Sequence, residues 1–119
     1  MPITFNIERN VIFTTATGIL SYADVLDHIE AKRHGDVIAS SELFDARRIT
    51  LDISVDDLKS IASEVAKALD GKAPGRIAMV LNSAFFLGLA RTYAGLSKVV
   101  NPAFEVFYDF DEARTWLMK

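Results

Sequence analysis

The chain has 119 residues, half of them apolar, with 16 acidic against 13 basic side chains, a formal net charge of −3 and no cysteine. One compact domain over residues 1–119 fits that length, burying roughly two-thirds of the surface that the unfolded chain exposes. The charge balance supplies no electrostatic footprint for nucleic acid, and the missing thiols exclude disulfides, thiolate catalysis and cysteine-based zinc sites.

The opening Met1-Pro2-Ile3-Thr4 carries no basic segment leading into an apolar run, and no stretch reaches the roughly 20 apolar residues that a membrane span needs. The expectation is a cytoplasmic protein without a membrane span. Ile3-Thr4-Phe5-Asn6-Ile7-Glu8 alternates apolar with polar side chains, and after Arg9-Asn10 the period of two resumes from Val11 to Gly18, which predicts a hairpin. Ser21 then stands before Tyr22, Val25, Leu26 and Ile29, a helical stripe, with Asp24 three residues after the cap and Lys32-Arg33-His34-Gly35 at its end.

Asp36 to Glu42 is the least periodic stretch and reads as a connection, followed by Leu43-Phe44-Asp45-Ala46-Arg47 as a strand. Ser54 with Asp57 repeats the cap signature before Val55, Leu58, Ile61, Ala62, Val65 and Leu69, and Asp70-Gly71 ends that second helix. Lys72-Ala73-Pro74-Gly75 is a turn into Arg76-Ile77-Ala78-Met79-Val80-Leu81, apolar enough for a strand covered on both faces. Asn82-Ser83 caps a third helix from about 84 to 98, whose Phe85, Phe86, Leu89, Tyr93 and Leu96 fall within an arc of roughly 100°. Gly88, Thr92 and Gly95 form a small-residue strip beside that arc, and Leu87 falls with Arg91 and Lys98 on the side expected to meet solvent. A last strand, Phe104 to Tyr108, and a closing helix from Asp109 complete the order ββαβαβαβα, a mixed five-stranded sheet with about four helices.

Taken together these segments resemble the SpoIIAA-like proteins, the STAS/SEC14-type domains of bacteria. The resemblance spans nearly the whole chain. It rests on the element order, Gly18 through Leu26, Phe44-Asp45-Ala46-Arg47, the Arg76–Leu81 strand, the run Phe86-Leu87-Gly88-Leu89-Ala90-Arg91-Thr92-Tyr93, and the ending Val106-Phe107-Tyr108-Asp109 with Glu112-Ala113 and Trp116-Leu117. It implies a STAS-like fold and a non-enzymatic role, in phosphoswitch members as a partner-switching antagonist phosphorylated on a serine that opens the second helix. Ser54 sits near that place, within Leu51-Asp52-Ile53-Ser54-Val55-Asp56-Asp57 rather than an Asp-Ser-Ser-Gly-type run. SEC14-type domains bind lipids, so the resemblance also admits a small apolar ligand.

In an open α/β sheet, ligands sit beyond the carboxyl ends of the strands. That edge should collect Asp45, Arg47, Arg48, Ser54, Asn82, Ser83, Tyr108 and Asp109. Two helix N-termini beside two arginines suit a carboxylate or phosphate; the simpler reading is that Ser54, Ser83 and Asp109 are N-caps and the arginines pair with surface acids.

Catalytic motifs are missing. His28 and His34 lie roughly 240° apart around one helix and cannot share a metal. The acid pairs Asp24/Asp27, Asp56/Asp57 and Asp109/Asp111/Glu112 fall in first helical turns, where acids are favoured anyway. Gly71-Lys72-Ala73-Pro74-Gly75 lacks P-loop spacing, and no serine stands in a Gly-x-Ser-x-Gly elbow. Neither a cofactor nor a metal is implied. An enzyme would need Asp45, Arg47, His28 or Tyr108 to converge in one cleft.

Phe85-Phe86-Leu87 with Arg91 is the candidate interaction surface, for a protein partner or a homodimer. The adjoining small-residue strip suits either such a partner or a neighbouring helix of the same domain. The leading reading is a non-enzymatic interaction or regulatory domain. The alternative is a small apolar ligand or lipid module with a pocket between sheet and third helix, for which a volume of about 300 Å³ or more would argue.

Overall fold

A computed structural model describes residues 3–83, 86–96 and 103–119. Arg9 and Asn10, both left-handed at φ 51° and 67°, fold β1 (Ile3–Glu8) back onto β2 (Val11–Ser21), with Ile3 opposite Ala16 and Glu8 opposite Val11. Two successive left-handed residues are what a two-residue hairpin turn requires. Ser21 ends β2 and caps α1 (Tyr22–His34): its hydroxyl accepts from the Asp24 amide, and the Asp24 carboxylate accepts from the Ser21 amide. At the other end the expected terminating Gly35 is right-handed, φ −78°, and the left-handed residue is Asp36, φ 57°, a residue type that tolerates this conformation.

The segment expected as a connection into a short strand is where the structure departs furthest from the sequence reading. β3 runs from Ser41 to Asp52, so Glu42 is a strand residue rather than the end of a loop. Two physical causes hid this. A buried charge interrupts the apolar pattern at Glu42, and a bulge interrupts the alternation further on. Thr15 faces Asp45 and Thr17 faces Arg48, so β3 carries one extra residue there.

The remaining elements are α2 (Val55–Leu69), β4 (Ile77–Val80), α3 (Leu87–Leu96), β5 (Phe104–Phe107) and α4 (Phe110–Leu117). The strands lie in the order β1-β2-β3-β4-β5, antiparallel at the hairpin and parallel from β2 onward. Consecutive parallel strands joined by crossovers of one hand put their connecting helices on one face. Accordingly α1, α2 and α3 share a face with Phe44, Ala46, Met79 and Val106, while α4 covers Leu43, Ala78 and Val80 on the other. Gly75 sets the start of β4: a Cβ there would come 2.5 Å from the Ser41 amide nitrogen, and this close approach lets Glu42 N–H reach the Arg76 carbonyl at 2.9 Å.

Of the third helix, the expected stretches 84–85 and 97–98, with Phe85 and Lys98, lie outside the described residues. The rest of its inward face is centred on buried Ala90, which was too small to register in the apolar arc. Leu87 sits about 60° from Ala90 and packs against the core, not toward solvent, whereas Leu96 sits about 120° away and is 39% exposed.

Candidate functional site

Strand alternation and one helical repeat build a charged cluster inside the molecule. Glu42 pairs with Ile12 across β2–β3, so Thr14, two residues on, projects from the same face beside it. On α1, His28 and Lys32 are spaced i, i+4 and therefore descend together onto that face. Glu42 Oε1 accepts from Lys32 Nζ at 2.7 Å, and Oε2 lies 2.8 Å from His28 Nε2 and accepts from the Thr14 hydroxyl at 2.5 Å. The His28 ring stands edge-on between Phe5 and Phe44, at 5.5 and 5.7 Å between centroids.

Glu42 is 3% and Lys32 8% exposed, so both charges have left water. Burial pushes the Glu42 carboxyl up, but the Lys32 charge and the hydrogen bonds from His28 and Lys32 outweigh it and hold the group well below the usual carboxylate range. In the sequence His28 is a lone helical histidine, Lys32 belongs to the basic end of the first helix and Glu42 closes an aperiodic connection. The one available signal was the His28/Lys32 spacing, which puts two basic groups on the buried side of a helix.

This cluster forms one corner of a cavity of about 140 Å³ between the sheet and the three helices. The cavity exists because α2 packs chiefly on α1 and α3 and stands off the strands beneath it. Apolar walls come from Ala46 and Met79 of the sheet side, Ile61 of α2, and Leu89 and Ala90 of α3. Tyr93 closes the wall beside Phe104, ring centroids 5.5 Å apart; burial first, and the Glu42 charge second, push its hydroxyl ionisation up.

The residues expected at the carboxyl edge occupy their strand and helix ends, where Arg47, Ser54 and Asp109 are already engaged. Arg47 forks onto Asp45, Nε to Oδ1 at 2.9 Å and Nη2 to Oδ2 at 2.8 Å, and its guanidinium lies 5.4 Å over the Phe110 ring. Those bonds hold the Asp45 carboxyl down and the Arg47 guanidinium up, and Asp109 and Asp111 add negative charge near Arg47. Ser54 and Asp57 close a second capping box, at 3.1 and 3.0 Å, over the start of α2. Asp109 caps α4 through the Glu112 amide at 3.0 Å. Arg48, Asn82 and Tyr108 are exposed and Ser83 is half-buried.

The cleft that an enzyme would need does not form from the residues considered. Phe44 and Ala46 face the three helices, so Asp45 between them faces the α4 side, across the sheet from His28. His34 is exposed with Nε2 3.3 Å from Glu30 Oε1, and no group of three or more metal-ligating side chains assembles among the described residues. No helix among them is long and apolar enough to cross a membrane. On α3, Phe86 and Leu87 pack inward and Arg91 is exposed. Gly88 and Gly95 face open space: among the described residues, no neighbouring helix approaches them within 4 Å of a Cβ position.

No protein-family model matches the chain, and no curated protein matches it. Solved structures do. The chain is similar to an uncharacterized DUF3478-family protein with a SpoIIAA-like fold from Shewanella loihica PV-4, at 19% identity and TM-score 0.64, over 97% of this chain and 93% of that one. It is similar to the anti-sigma factor antagonist SpoIIAA in its unphosphorylated form, at 12% identity and TM-score 0.61, over 98% and 97% of the two chains. The Bacillus cell fate determinant SpoIIAA in its phosphorylated form matches at 14% identity and TM-score 0.55, over 96% and 97%. Identities this low speak for the fold: the chain has a SpoIIAA-like, STAS-like α/β fold.

Proposed function

We propose that residues 1–119 form one non-enzymatic regulatory domain that acts by binding another protein. The observation that carries this reading is the likeness of fold, over nearly the full length of both chains, to an anti-sigma factor antagonist known in unphosphorylated and phosphorylated forms. Ser54 is exposed at the opening of α2, where a partner can reach it. With Arg47 occupied by Asp45, the carboxyl edge of the sheet works better as a polar contact surface than as an anion cradle. The open strip of α3, with Arg91 beside it, is the face for self-association if the partner is a second copy.

Purification at native level from the host tests this. A protein partner in fixed stoichiometry, released by Ser54→Glu or Arg91→Glu, is the expected result. A chain that sediments alone and carries no partner at tens of micromolar would overturn it.

A second reading, a small-ligand module, is favoured by one observation, the cavity under α2. Its 140 Å³ is under half of the 300 Å³ at which drug-sized sites begin, which restricts the reading to small molecules rather than lipids.

A further inference from the structure

We propose that the cavity between the sheet and α1–α3 binds a small, neutral, ketone-like molecule whose one oxygen docks on Lys32 and Tyr93. This rests on the second reading above and adds the chemistry of recognition to it.

Size comes first. An apolar cavity of about 150 Å³ accommodates benzene, so 140 Å³ takes a ring or short branched chain of comparable bulk. Polarity follows from which hydrogen-bonding groups are spent. Both Glu42 oxygens are taken, one by Lys32 and the other by His28 and Thr14, so the carboxylate has little left to offer a donor. The Lys32 ammonium has three N–H donors, and among the described residues it gives one, to Glu42. The side chain is more than nine-tenths buried and lines the cavity, so the other two are met there by cavity water or by a ligand that displaces it. Tyr93, half-buried, lines the same cavity, and its hydroxyl has no hydrogen-bond partner among the described residues. Surplus donors in an otherwise apolar chamber call for an acceptor.

Charge then selects among acceptors. Glu42 and Lys32 neutralise each other, so a carboxylate ligand would bring an uncompensated charge into a site already out of water. A carbonyl oxygen accepts from both donors without that cost.

Cyclohexanone and methylenecyclohexane are the probes, near-isosteric molecules that differ in C=O against C=CH2. Titrated into the full chain and followed by the methyl resonances of Ile61 and Leu89, cyclohexanone should bind at least tenfold more tightly. Tyr93→Phe keeps the ring and should reduce that preference severalfold. Equal affinity for both probes would overturn the carbonyl recognition while leaving an apolar-ligand site standing. If neither probe moves the methyl resonances up to tens of millimolar, the ligand reading falls with it. A preference unchanged in Tyr93→Phe would overturn the role given to the hydroxyl.

Discussion

Lys32 Nζ lies 2.7 Å from Glu42 Oε1 with both side chains out of water, one from the last turn of α1 and the other from the start of β3. Breaking a buried pair strands a charge, whereas replacing the pair removes the desolvation cost together with the attraction. Lys32→Met alone should therefore cost about 3–5 kcal/mol, and the double variant Lys32→Met/Glu42→Leu clearly less than the sum of the single changes. Urea denaturation of the four chains in this cycle checks it.

Acid should find the same cluster. Glu42 has a folded-state pKa below the ordinary value of 4.5, so it contributes stability that is fully present above that pH and is lost as pH falls toward the depressed folded value. Unfolding free energy should drop steadily below about pH 4.5, and the drop should be shallower in Glu42→Gln. The difference between the two chains isolates Glu42 from Asp24, Glu30, Asp36 and Asp45, whose carboxyls are also held down.

Two glycines should respond in opposite directions. Gly75→Ala drives a Cβ to 2.5 Å from the Ser41 nitrogen and 2.8 Å from the Ser40 carbonyl carbon, so backbone must move and stability should fall by about 1–3 kcal/mol. Gly88→Ala meets open space on α3 and should raise stability by about 0.5–1 kcal/mol. Thermal melts of the two variants give both signs directly.

The two capping boxes are equivalent by geometry, so Ser21→Ala and Ser54→Ala should each cost about 1 kcal/mol. Of the two, only Ser54→Ala should alter capture of a protein partner. Chemical denaturation alongside the native pull-down separates the structural role of the cap from a role in binding.

Local chemistry was legible wherever a short segment decides its own conformation. Arg9-Asn10 turns the hairpin, Ser21/Asp24 and Ser54/Asp57 start helices, Asp109 starts the last one, and the apolar run at 77–80 is a strand covered on both faces. Reading failed where a residue's environment is supplied from far along the chain. Leu87 packs inward against a cluster that Ala16, Phe44 and Ala46 build from strands distant in the chain.

The amino-acid sequence by itself determined the element order, the caps and the layered α/β class, because these follow from periodicity and from contacts within a few residues. Only the tertiary structure decided where the buried polarity lies. Glu42 looks like a solvated loop acid until Lys32 and His28, 10 and 14 residues away, and Thr14, 28 residues away, close around it. The cavity is likewise invisible in the sequence, since it is the space left when α2 rests on two helices instead of on the sheet. Such a void belongs to no residue and has no periodicity of its own.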